Sequence, residues 1–137
     1  MKIMVVGAGA MGGSFAGLLA IAGHEVRIID TDSAHVQAIN RDGLLVEGVL
    51  GVHRVQVHAT TESEDGEVAD AVIMFCDTNN TKEASKAVAK LTGNHGFAIT
   101  FQNGIGNVEA LVDAVGPART LAGSSMCSAA NLGPGHV

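Results

Sequence analysis

The sequence predicts a single α/β domain built around a doubly wound, mostly parallel sheet. Short apolar segments alternate with helical segments along all 137 residues. The chain is 47% hydrophobic but only 3% aromatic and contains 18 glycines, a composition typical of the closely packed interior of a parallel sheet. The first apolar segment also runs directly into a glycine-rich turn. A chain of this length buries one ordinary core.

The glycine-rich turn, residues 7–12, reads Gly-Ala-Gly-Ala-Met-Gly and precedes a helix predicted over Ser14–Ala22. A strand, this spacing and a helix together form the dinucleotide-binding fingerprint in its required context. Gly7 allows the sharp turn, Gly9 lets the backbone approach a pyrophosphate, and Gly12 lets the helix pack on the sheet. Backbone N–H groups at the helix start would face the phosphates. The sequence therefore predicts a Rossmann-type domain, and the alternative is a glycine-rich turn of another α/β fold.

An acidic residue stands where the second strand ends. This strand is predicted over Glu25–Ile29, and Asp30 follows it, 18 positions after Gly12. The spacing is close to the value of about 20 at which a carboxylate binds the adenosine ribose. A carboxylate there repels a 2′-phosphate, so Asp30 favours NAD over NADP. The alternative role is the N-cap of a helix over Ala34–Asn40, for which Asp32 or Ser33 is better placed.

The remaining segments continue the alternation of strands and helices. They are Leu44–Glu47 and Val52–His58 (a hairpin or an edge excursion), Thr60–Glu67 (a loop or short helix), Asp70–Cys76 (a buried strand), Thr81–Leu91 (a helix), Gly96–Phe101 (a strand), Asn103–Gly106 (a turn), Val108–Val115 (a helix) and Arg119–Gly123 (a short strand). Asn107 is predicted to cap the last helix. Gly116 and Pro117 are predicted to end it.

Three segments follow predicted strands and carry polar or small residues. They are Cys76–Asn80, Gln102–Gly104 and Ser124–Met126. Ligands of open parallel sheets lie at the carboxyl ends of strands, so these segments are candidate contacts to a ribose, an amide or a substrate carbonyl. The candidate cofactor ligands here are Cys76, Asp77, Asn103, Gly104 and Ser124. Ordinary turn chemistry is an equal alternative for Asn79 and Asn80.

Charge and composition exclude several classes of function. The net charge is −6 without a basic run, which argues against a nucleic-acid partner. No apolar stretch reaches membrane-spanning length. Cys76 and Cys127 lie outside any C-x-x-C spacing, which indicates reduced thiols in the cytoplasm. The six histidines show no metal-ligand spacing, so we expect them at the surface or in turns and predict no metal site.

Four stretches together resemble one enzyme family. They are residues 1–12, 23–26 (Gly-His-Glu-Val), 103–109 (Asn-Gly-Ile-Gly-Asn-Val-Glu) and 133–135 (Gly-Pro-Gly). With the Gln-Asn-Gly at 102–104, they resemble the N-terminal half of ketopantoate reductase (2-dehydropantoate 2-reductase). The resemblance covers essentially the whole chain. It implies reduction of a small 2-keto acid to a 2-hydroxy acid with hydride from a nicotinamide cofactor.

The resemblance also implies roles for individual residues. Residues holding the pyrophosphate would be Gly7, Gly9, Ala10, Met11 and Gly12. Asn103 matches the family asparagine beside the nicotinamide and substrate. Ser124 and Ser125 stand where the family often has hydroxyl residues near the nicotinamide and its ribose, and Ser125 is a candidate substrate contact.

Two positions depart from the family pattern. The family usually has an arginine near the position of Asp30, which grips the 2′-phosphate of NADP, so Asp30 again favours NAD. The family lysine after the fourth strand corresponds here to Asp77. A carboxylate at that position would repel both a keto acid and the cofactor phosphates, so the identity of the substrate stays open.

The family's general-acid lysine lies in a helical second domain that residues 1–137 do not include. Hydride transfer to a carbonyl needs a proton donor, and Lys82, Lys86 and Lys90 recur on one solvated helix face. We therefore expect residues 1–137 to be the dinucleotide-binding domain of a longer enzyme, competent to bind cofactor but without catalytic residues of its own. An exposed face from Ser124 onward would receive the second domain and could pair two copies as a homodimer.

Two other hypotheses stay open. The chain could be a nucleotide-sensing module without catalysis, which the loss of the lysine at Asp77 favours. It could also be the cofactor domain of another dinucleotide-dependent dehydrogenase, because the fold alone does not decide the reaction.

Overall fold

In a computed structural model, the chain is described over residues 1–64, 66–77 and 80–137. The elements of these residues are β1 (Lys2–Val6), α1 (Ala10–Ile21), β2 (Glu25–Ile29), α2 (Ser33–Asp42), β3 (Leu44–Gly48), β4 (Gly51–Val55), β5 (His58–Thr60), β6 (Ala71–Met74), α3 (Thr81–Thr92), β7 (Phe97–Thr100), α4 (Asn107–Val115), a 3-10 turn (Pro117–Arg119) and β8 (Thr120–Ala122). Apart from β3–β5, strands and helices alternate as the sequence predicts.

The main sheet is parallel and doubly wound. Within the described residues its order is β5-β2-β1-β6-β7-β8, while β3 and β4 form a separate antiparallel hairpin. The chain first builds outwards from β1 and then returns to the centre at β6, where Val6 lies beside Met74. The predicted fold class is therefore confirmed. The winding reverses between β1 and β6, and ligands of open α/β sheets bind at this reversal point.

The core consists of two apolar layers, one on each side of the sheet. Val5 of β1 belongs to the layer that contains Ile39 of α2. Its neighbours Met4 and Val6 point the other way, into the layer that contains Leu91 of α3. Successive residues of a strand face opposite sides, and both sides are covered here, which explains why β1 is apolar from Ile3 to Val6. Burying each large aliphatic side chain contributes about 1.5–3 kcal/mol.

Helix α1 begins four residues earlier than the predicted start at Ser14. It begins at Ala10, which places Gly12 and Gly13 inside the helix. Glycine disfavours a helix interior by about 1 kcal/mol relative to alanine, so propensity alone puts the start too late. Here the absence of a side chain permits close packing. A Cβ on Gly12 would overlap the carbonyl oxygen of Gly7, and one on Gly13 would lie 2.8 Å from the Val137 side chain.

The predicted hairpin strand over Val52–His58 is wrong in its second part. Strand β4 ends at Val55, and His58 begins β5, which pairs in parallel with β2 at the edge of the main sheet. The side chain of Asn40 covers this edge, because its Nδ2 donates to the Ala59 carbonyl at 2.7 Å and its Oδ1 accepts from the Ala59 N–H at 2.9 Å. The side chain of a helix thus takes the place of a further strand.

The last residues of the chain pack against the β3–β4 hairpin and against α2. The Leu45 N–H donates to the Gly135 carbonyl at 2.8 Å, and Val137 is buried. The Gly135 N–H donates to Nδ1 of His35 at 3.0 Å. His35 is only 2% exposed, so the prediction that all six histidines lie at the surface or in turns is wrong for this one. The tail is exposed in its first part, around Met126, but not at its end.

Candidate functional site

Gly7 turns the chain off β1 and fixes it beside the neighbouring strand end. Its φ is +87°, a torsion that side-chain-bearing residues rarely adopt. A Cβ would lie 2.8 Å from the backbone nitrogen of Cys76. The Gly7 N–H donates to the carbonyl of Ile29 at 2.8 Å. The sharp turn predicted at Gly7 is confirmed, and its contact with a pyrophosphate stays a prediction.

The start of α1 is an open, electropositive surface. Gly9 is the N-cap, no side chain caps the helix, and its first turn carries no acidic residue. A Cβ on Gly9 would meet no protein atom within 4 Å. The N–H groups of Ala10, Met11 and Gly12 lie in the first turn, where a helix supplies no acceptor of its own. This arrangement suits an anion.

Asp30 is tied to the glycine loop and does not cap α2. Its Oδ2 accepts from the Ala8 N–H at 2.6 Å, and its Oδ1 accepts from the Asp32 N–H at 2.8 Å. Asp32 is the cap, because its Oδ1 accepts from the N–H groups of Ala34 and His35 at 2.9 and 3.1 Å. Asp32 was one of the two caps that the sequence favours. Each oxygen of Asp30 retains a lone pair for a further donor.

The arginines nearest to Asp30 in sequence are occupied elsewhere. Arg27 pairs with Glu67 at 2.6 Å between Nη1 and Oε1. Arg41 pairs with Asp42 at 2.6 Å between Nη2 and Oδ2, on the last turn of α2. Both side chains are engaged by carboxylates, so neither offers an uncompensated cation to a phosphate.

The end of β6 brings a thiol and a carboxylate to the reversal point. Cys76 is half-buried, and this burial raises the pKa of its thiol. Asp77 is exposed, and its carbonyl accepts from the Asn80 N–H at 2.8 Å. Thr78 and Asn79, which belong to the same predicted segment, lie outside the described residues. The structure thus places Cys76 beside Gly7, because β1 and β6 are parallel neighbours and their carboxyl ends meet at the same edge of the sheet.

The end of β7 holds Asn103 and Gly104 at the surface, and the predicted cap of α4 is wrong. The N-cap is Gly106, with φ +93°, and no side chain caps the helix. Asn107 is instead the first residue of α4 and is 1% exposed. Its Nδ2 donates to the Asn103 carbonyl at 2.8 Å. The side chain turns into the protein, where its Oδ1 accepts from the hydroxyl of Thr81 on α3 at 2.8 Å, a contact that local sequence cannot reveal.

The end of β8 carries the two candidate serines. Ser124 is exposed, and the Oγ of Ser125 accepts from the Cys127 N–H at 3.3 Å. Gly123, directly before them, packs against the ring of Phe101, since a Cβ there would lie 2.6 Å from Cε1. The loops after β7 and β8 therefore touch. The contact of either serine with a nicotinamide stays a prediction.

A cavity of about 440 Å³ lies away from these loops. It is lined by residues at the start of β2 and β5 and just before these strands, including His24, Arg27 and His58. Ligands of open parallel sheets bind at the opposite, carboxyl ends of the strands.

Within the described ranges, no three His, Cys, Asp or Glu side chains are grouped to hold a metal ion. No helix in those ranges is long and apolar enough to cross a membrane.

A comparison with known protein families shows to which family this chain belongs. The model of the family described as Ketopantoate reductase PanE/ApbA matches residues 3–137. The chain belongs to the ketopantoate reductase family. The resemblance inferred from the sequence is confirmed.

Individual relatives agree with the family match. The chain is 35% identical to the 2-dehydropantoate 2-reductase of Pyrococcus horikoshii over 137 residues, which is all of this chain and 44% of that protein. It is 38% identical to that of Pyrococcus abyssi over 118 residues, 86% of this chain and 38% of that protein. The chain thus spans about two fifths of the length of these curated relatives.

Solved structures show the same fold. The D-mandelate dehydrogenase in its ternary structure with NADH and anilino(oxo)acetate has a TM-score of 0.92 and 28% identity, covering 99% of this chain and 44% of that one. The 2-dehydropantoate 2-reductase of Geobacter metallireducens has a TM-score of 0.91 and 28% identity, covering 100% and 45%. The Rossmann-type interpretation therefore holds across the whole chain.

Three phenylalanines, which were not among the predicted site residues, connect α1 with the ends of β6 and β7. The ring centroids of Phe15 and Phe75 are 4.9 Å apart, those of Phe15 and Phe101 are 5.2 Å apart, and those of Phe75 and Phe101 are 5.7 Å apart. They come from α1 and from the ends of β6 and β7. The sequence contains only four phenylalanines, and three of them lie in the first helix or just after a strand. This placement is the signal from which the cluster could have been predicted.

Proposed function

We propose that residues 1–137 form the nicotinamide-dinucleotide-binding domain of a reductase that converts a 2-keto acid into a 2-hydroxy acid. The observation that carries this proposal is the uncapped start of α1 at the reversal point of the sheet. The relatives named above support it. 2-Dehydropantoate is a 2-keto acid and mandelate is a 2-hydroxy acid, so both names describe the same interconversion.

The residues of the glycine loop fit a pyrophosphate. Gly9 leaves open space where a Cβ would project, and the N–H groups of Ala10, Met11 and Gly12 point along the helix axis towards its N-terminal end. Gly7 supplies the turn that brings them there. The bound nicotinamide supplies the hydride, and the residues of this chain bind and orient it.

Asp30 favours NAD over NADP in this proposal. Its carboxylate holds the loop through the Ala8 N–H and keeps acceptor capacity for ribose hydroxyls. A 2′-phosphate would add roughly two negative charges beside it. Arg27 and Arg41 are paired with carboxylates and do not compensate that charge.

The loops after β6, β7 and β8 form the nicotinamide side of the proposed site. Cys76, Asp77, Gly104 and Ser124 would line the cofactor, while Asn103 and Ser125 would contact the substrate. Lysines 82, 86 and 90 are exposed along α3. We assign the proton donor to a group outside residues 1–137, so the isolated chain should bind cofactor without turning over substrate.

A non-catalytic nucleotide-binding module is the second candidate, because the exposed carboxylate of Asp77 would repel an anionic substrate. Reductase activity separates the two candidates. The full-length protein that carries this chain is mixed with NADH and a series of 2-keto acids, and absorbance at the NADH band is followed. Consumption of NADH supports the reductase, whereas intact NADH binding without consumption supports the module.

The loop itself is tested by a matched pair of glycine substitutions. Gly9→Ala places a methyl group where the pyrophosphate is proposed, and φ at Gly9 is −60°, outside the left-handed region that favours glycine. Gly48→Ala is the control, since a Cβ there also meets no protein atom within 4 Å. Gly9→Ala should weaken NADH binding about 10- to 100-fold, the effect of an overlap of about 1–3 kcal/mol. Calorimetry on both variants measures it.

Titration of the unmodified chain with NADH and NADPH completes the test. Tighter binding of NADH supports both the dinucleotide site and the role of Asp30. Tighter binding of NADPH would contradict the role of Asp30 alone. Binding of neither cofactor, or equal weakening by Gly9→Ala and Gly48→Ala, would contradict the proposed site.

A further inference from the structure

A continuous chain of hydrogen bonds joins the loops after β6 and β7. The Nε2 of Gln102 donates to the Cys76 carbonyl and, at 3.1 Å, to the Oγ1 of Thr81. The Thr81 hydroxyl donates to the Oδ1 of Asn107 at 2.8 Å. The Nδ2 of Asn107 donates to the Asn103 carbonyl at 2.8 Å. We call Thr81, Gln102 and Asn107 the loop network.

The direction of every bond in the loop network is fixed. The Cys76 carbonyl can only accept, so the Gln102 amide nitrogen must face it, and the Oε1 of Gln102 then accepts from the Thr100 hydroxyl at 3.0 Å. Both amide hydrogens of Gln102 then have acceptors, and the Thr81 hydroxyl has one donor and one acceptor. If the side-chain amide of Gln102 or Asn107 were reversed, its oxygen would face a backbone carbonyl oxygen, and neither atom could donate.

The loop network is buried at its centre and ends on loop carbonyls. Thr81 is 3% exposed and Asn107 1% exposed. Neither caps a helix, because no side chain caps α3 or α4. Its two terminal bonds reach the carbonyls of Cys76 and Asn103, the residues that follow β6 and β7. The network therefore sets the position of one loop relative to the other.

We propose that Thr81, Gln102 and Asn107 are positioning residues that hold the loops of Cys76 and Asn103 in register against the nicotinamide. The proposal rests on the proposed function, because it assumes a dinucleotide whose nicotinamide reaches these loops. The adenosine end is held by the glycine loop and Asp30, which make no hydrogen bond with the network among those of the described residues. The network should thus affect one end of the cofactor and not the other.

The test compares NADH with ADP-ribose, which carries the adenosine, both riboses and pyrophosphate but lacks the nicotinamide. Thr81→Val removes the central hydroxyl of the network at nearly constant volume. It should weaken NADH binding about tenfold, as expected when buried hydrogen-bond partners are left unsatisfied. Binding of ADP-ribose should change less than about twofold, within the scatter of uncoupled sites. Calorimetry on the 137-residue chain measures both.

Two variants control for a general effect on α3. Thr81→Ser restores the hydroxyl and should recover NADH binding. Thr92→Val removes a second buried hydroxyl from the same helix, one that donates to the carbonyls of Val88 and Ala89 at 3.0 and 3.1 Å. It should leave NADH binding unchanged. If the Thr81→Val variant does not fold, the Gln102→Met variant is used instead. Gln102 is half-buried, and its substitution also removes the hydrogen bonds to Cys76 and Thr81.

The outcomes separate this proposal from the proposed function. Selective loss of NADH affinity with Thr81→Val, rescued by serine, supports it. Equal loss for NADH and ADP-ribose, loss for neither, or equal affinity of the unmodified chain for the two ligands overturns it while leaving the dinucleotide site standing. Failure of the unmodified chain to bind either ligand overturns the proposed function itself.

Discussion

The glycine-loop region (residues 2–30) and the strand-end region (residues 76–77 and 80–107) build two adjoining parts of the candidate site by different means. The first uses backbone: a left-handed glycine, an uncapped helix start and one carboxylate that holds the Ala8 N–H. The second uses side chains that reach across about 30 residues of sequence, from Cys76 to Asn107. A missing Cβ creates the first region, and satisfied buried polar groups create the second.

This difference predicts how each region fails. A substitution in the glycine-loop region acts by steric overlap, and the loss of stability is large because the contacting atoms are backbone and cannot move aside. The strand-end region fails by loss of a hydrogen bond, which costs less and is recovered by any side chain that restores the donor. Binding and stability measurements on the two regions should therefore differ in size and in their response to conservative variants.

The largest effect is expected from an alanine at Gly7. Gly7→Ala combines a strained torsion with an overlap against the backbone of Cys76 and should lower the free energy of unfolding by about 3 kcal/mol or more. Gly23→Ala is a matched control, because Gly23 has the same φ of +87° but meets no atom within 4 Å. It should cost only about 1 kcal/mol, the torsional part.

Chemical denaturation of the two variants measures this difference. A larger loss for Gly7→Ala means that close approach of two strand ends, and not torsion alone, requires glycine. Similar losses for both variants would show that the contact with Cys76 adds nothing.

A smaller effect is expected from removing the charge of Asp30. Asp30→Asn keeps one oxygen that can accept from the Ala8 N–H and should shift the ratio of NADPH to NADH affinity about tenfold towards NADPH. An arginine would be a less informative change, because it also removes the acceptor that holds the loop. Titration with both cofactors measures the ratio.

Asp32→Asn is the control for this charge. It removes the same charge two positions away, and asparagine caps a helix as well as aspartate does. Its effect on the cofactor ratio should be smaller. An equal shift for the two variants would mean that the general field of the region, and not a contact of Asp30, selects the cofactor.

The smallest effect concerns the reactivity of the two thiols. Burial raises the pKa of the Cys76 thiol above its ordinary value and so lowers its reactive thiolate fraction, and it also limits access of reagents, whereas Cys127 is exposed. Alkylation by iodoacetamide, followed by mass spectrometry, should be several-fold slower at Cys76. Saturating NADH should slow it further without affecting Cys127, and equal protection of both thiols would contradict the position of Cys76 in the site.

The raised pKa of Cys76 also has a consequence for stability. A group whose pKa is higher in the folded state contributes its stabilisation fully below its ordinary pKa and loses it as pH rises through the folded value. The free energy of unfolding should therefore fall above about pH 9 by a contribution that Cys76→Ser removes, because serine does not titrate there.

Prediction from sequence succeeds where the information is local. The sharp turn at Gly7, the strand Glu25–Ile29 and the preference for Asp32 or Ser33 over Asp30 as a helix cap each depend on neighbouring residues, and the structure confirms all three. The assignment of Asn107 as a cap and of His35 as a surface residue is wrong. Their partners lie on other elements, and local propensity ranks Asn as a cap and His as polar wherever they occur.

The sequence by itself determined the doubly wound fold and the sharp turn at Gly7, because these follow from periodicity and from the torsional freedom of glycine at fixed spacing, and its motifs pointed to the family. Only the tertiary structure decided that Gly12 and Gly13 lie inside a helix, that the tail docks on His35, and that Thr81, Gln102 and Asn107 form one network. Each of these depends on atoms brought together from distant parts of the chain. Buried polar groups take whichever partner the fold places beside them, and sequence spacing does not encode that choice.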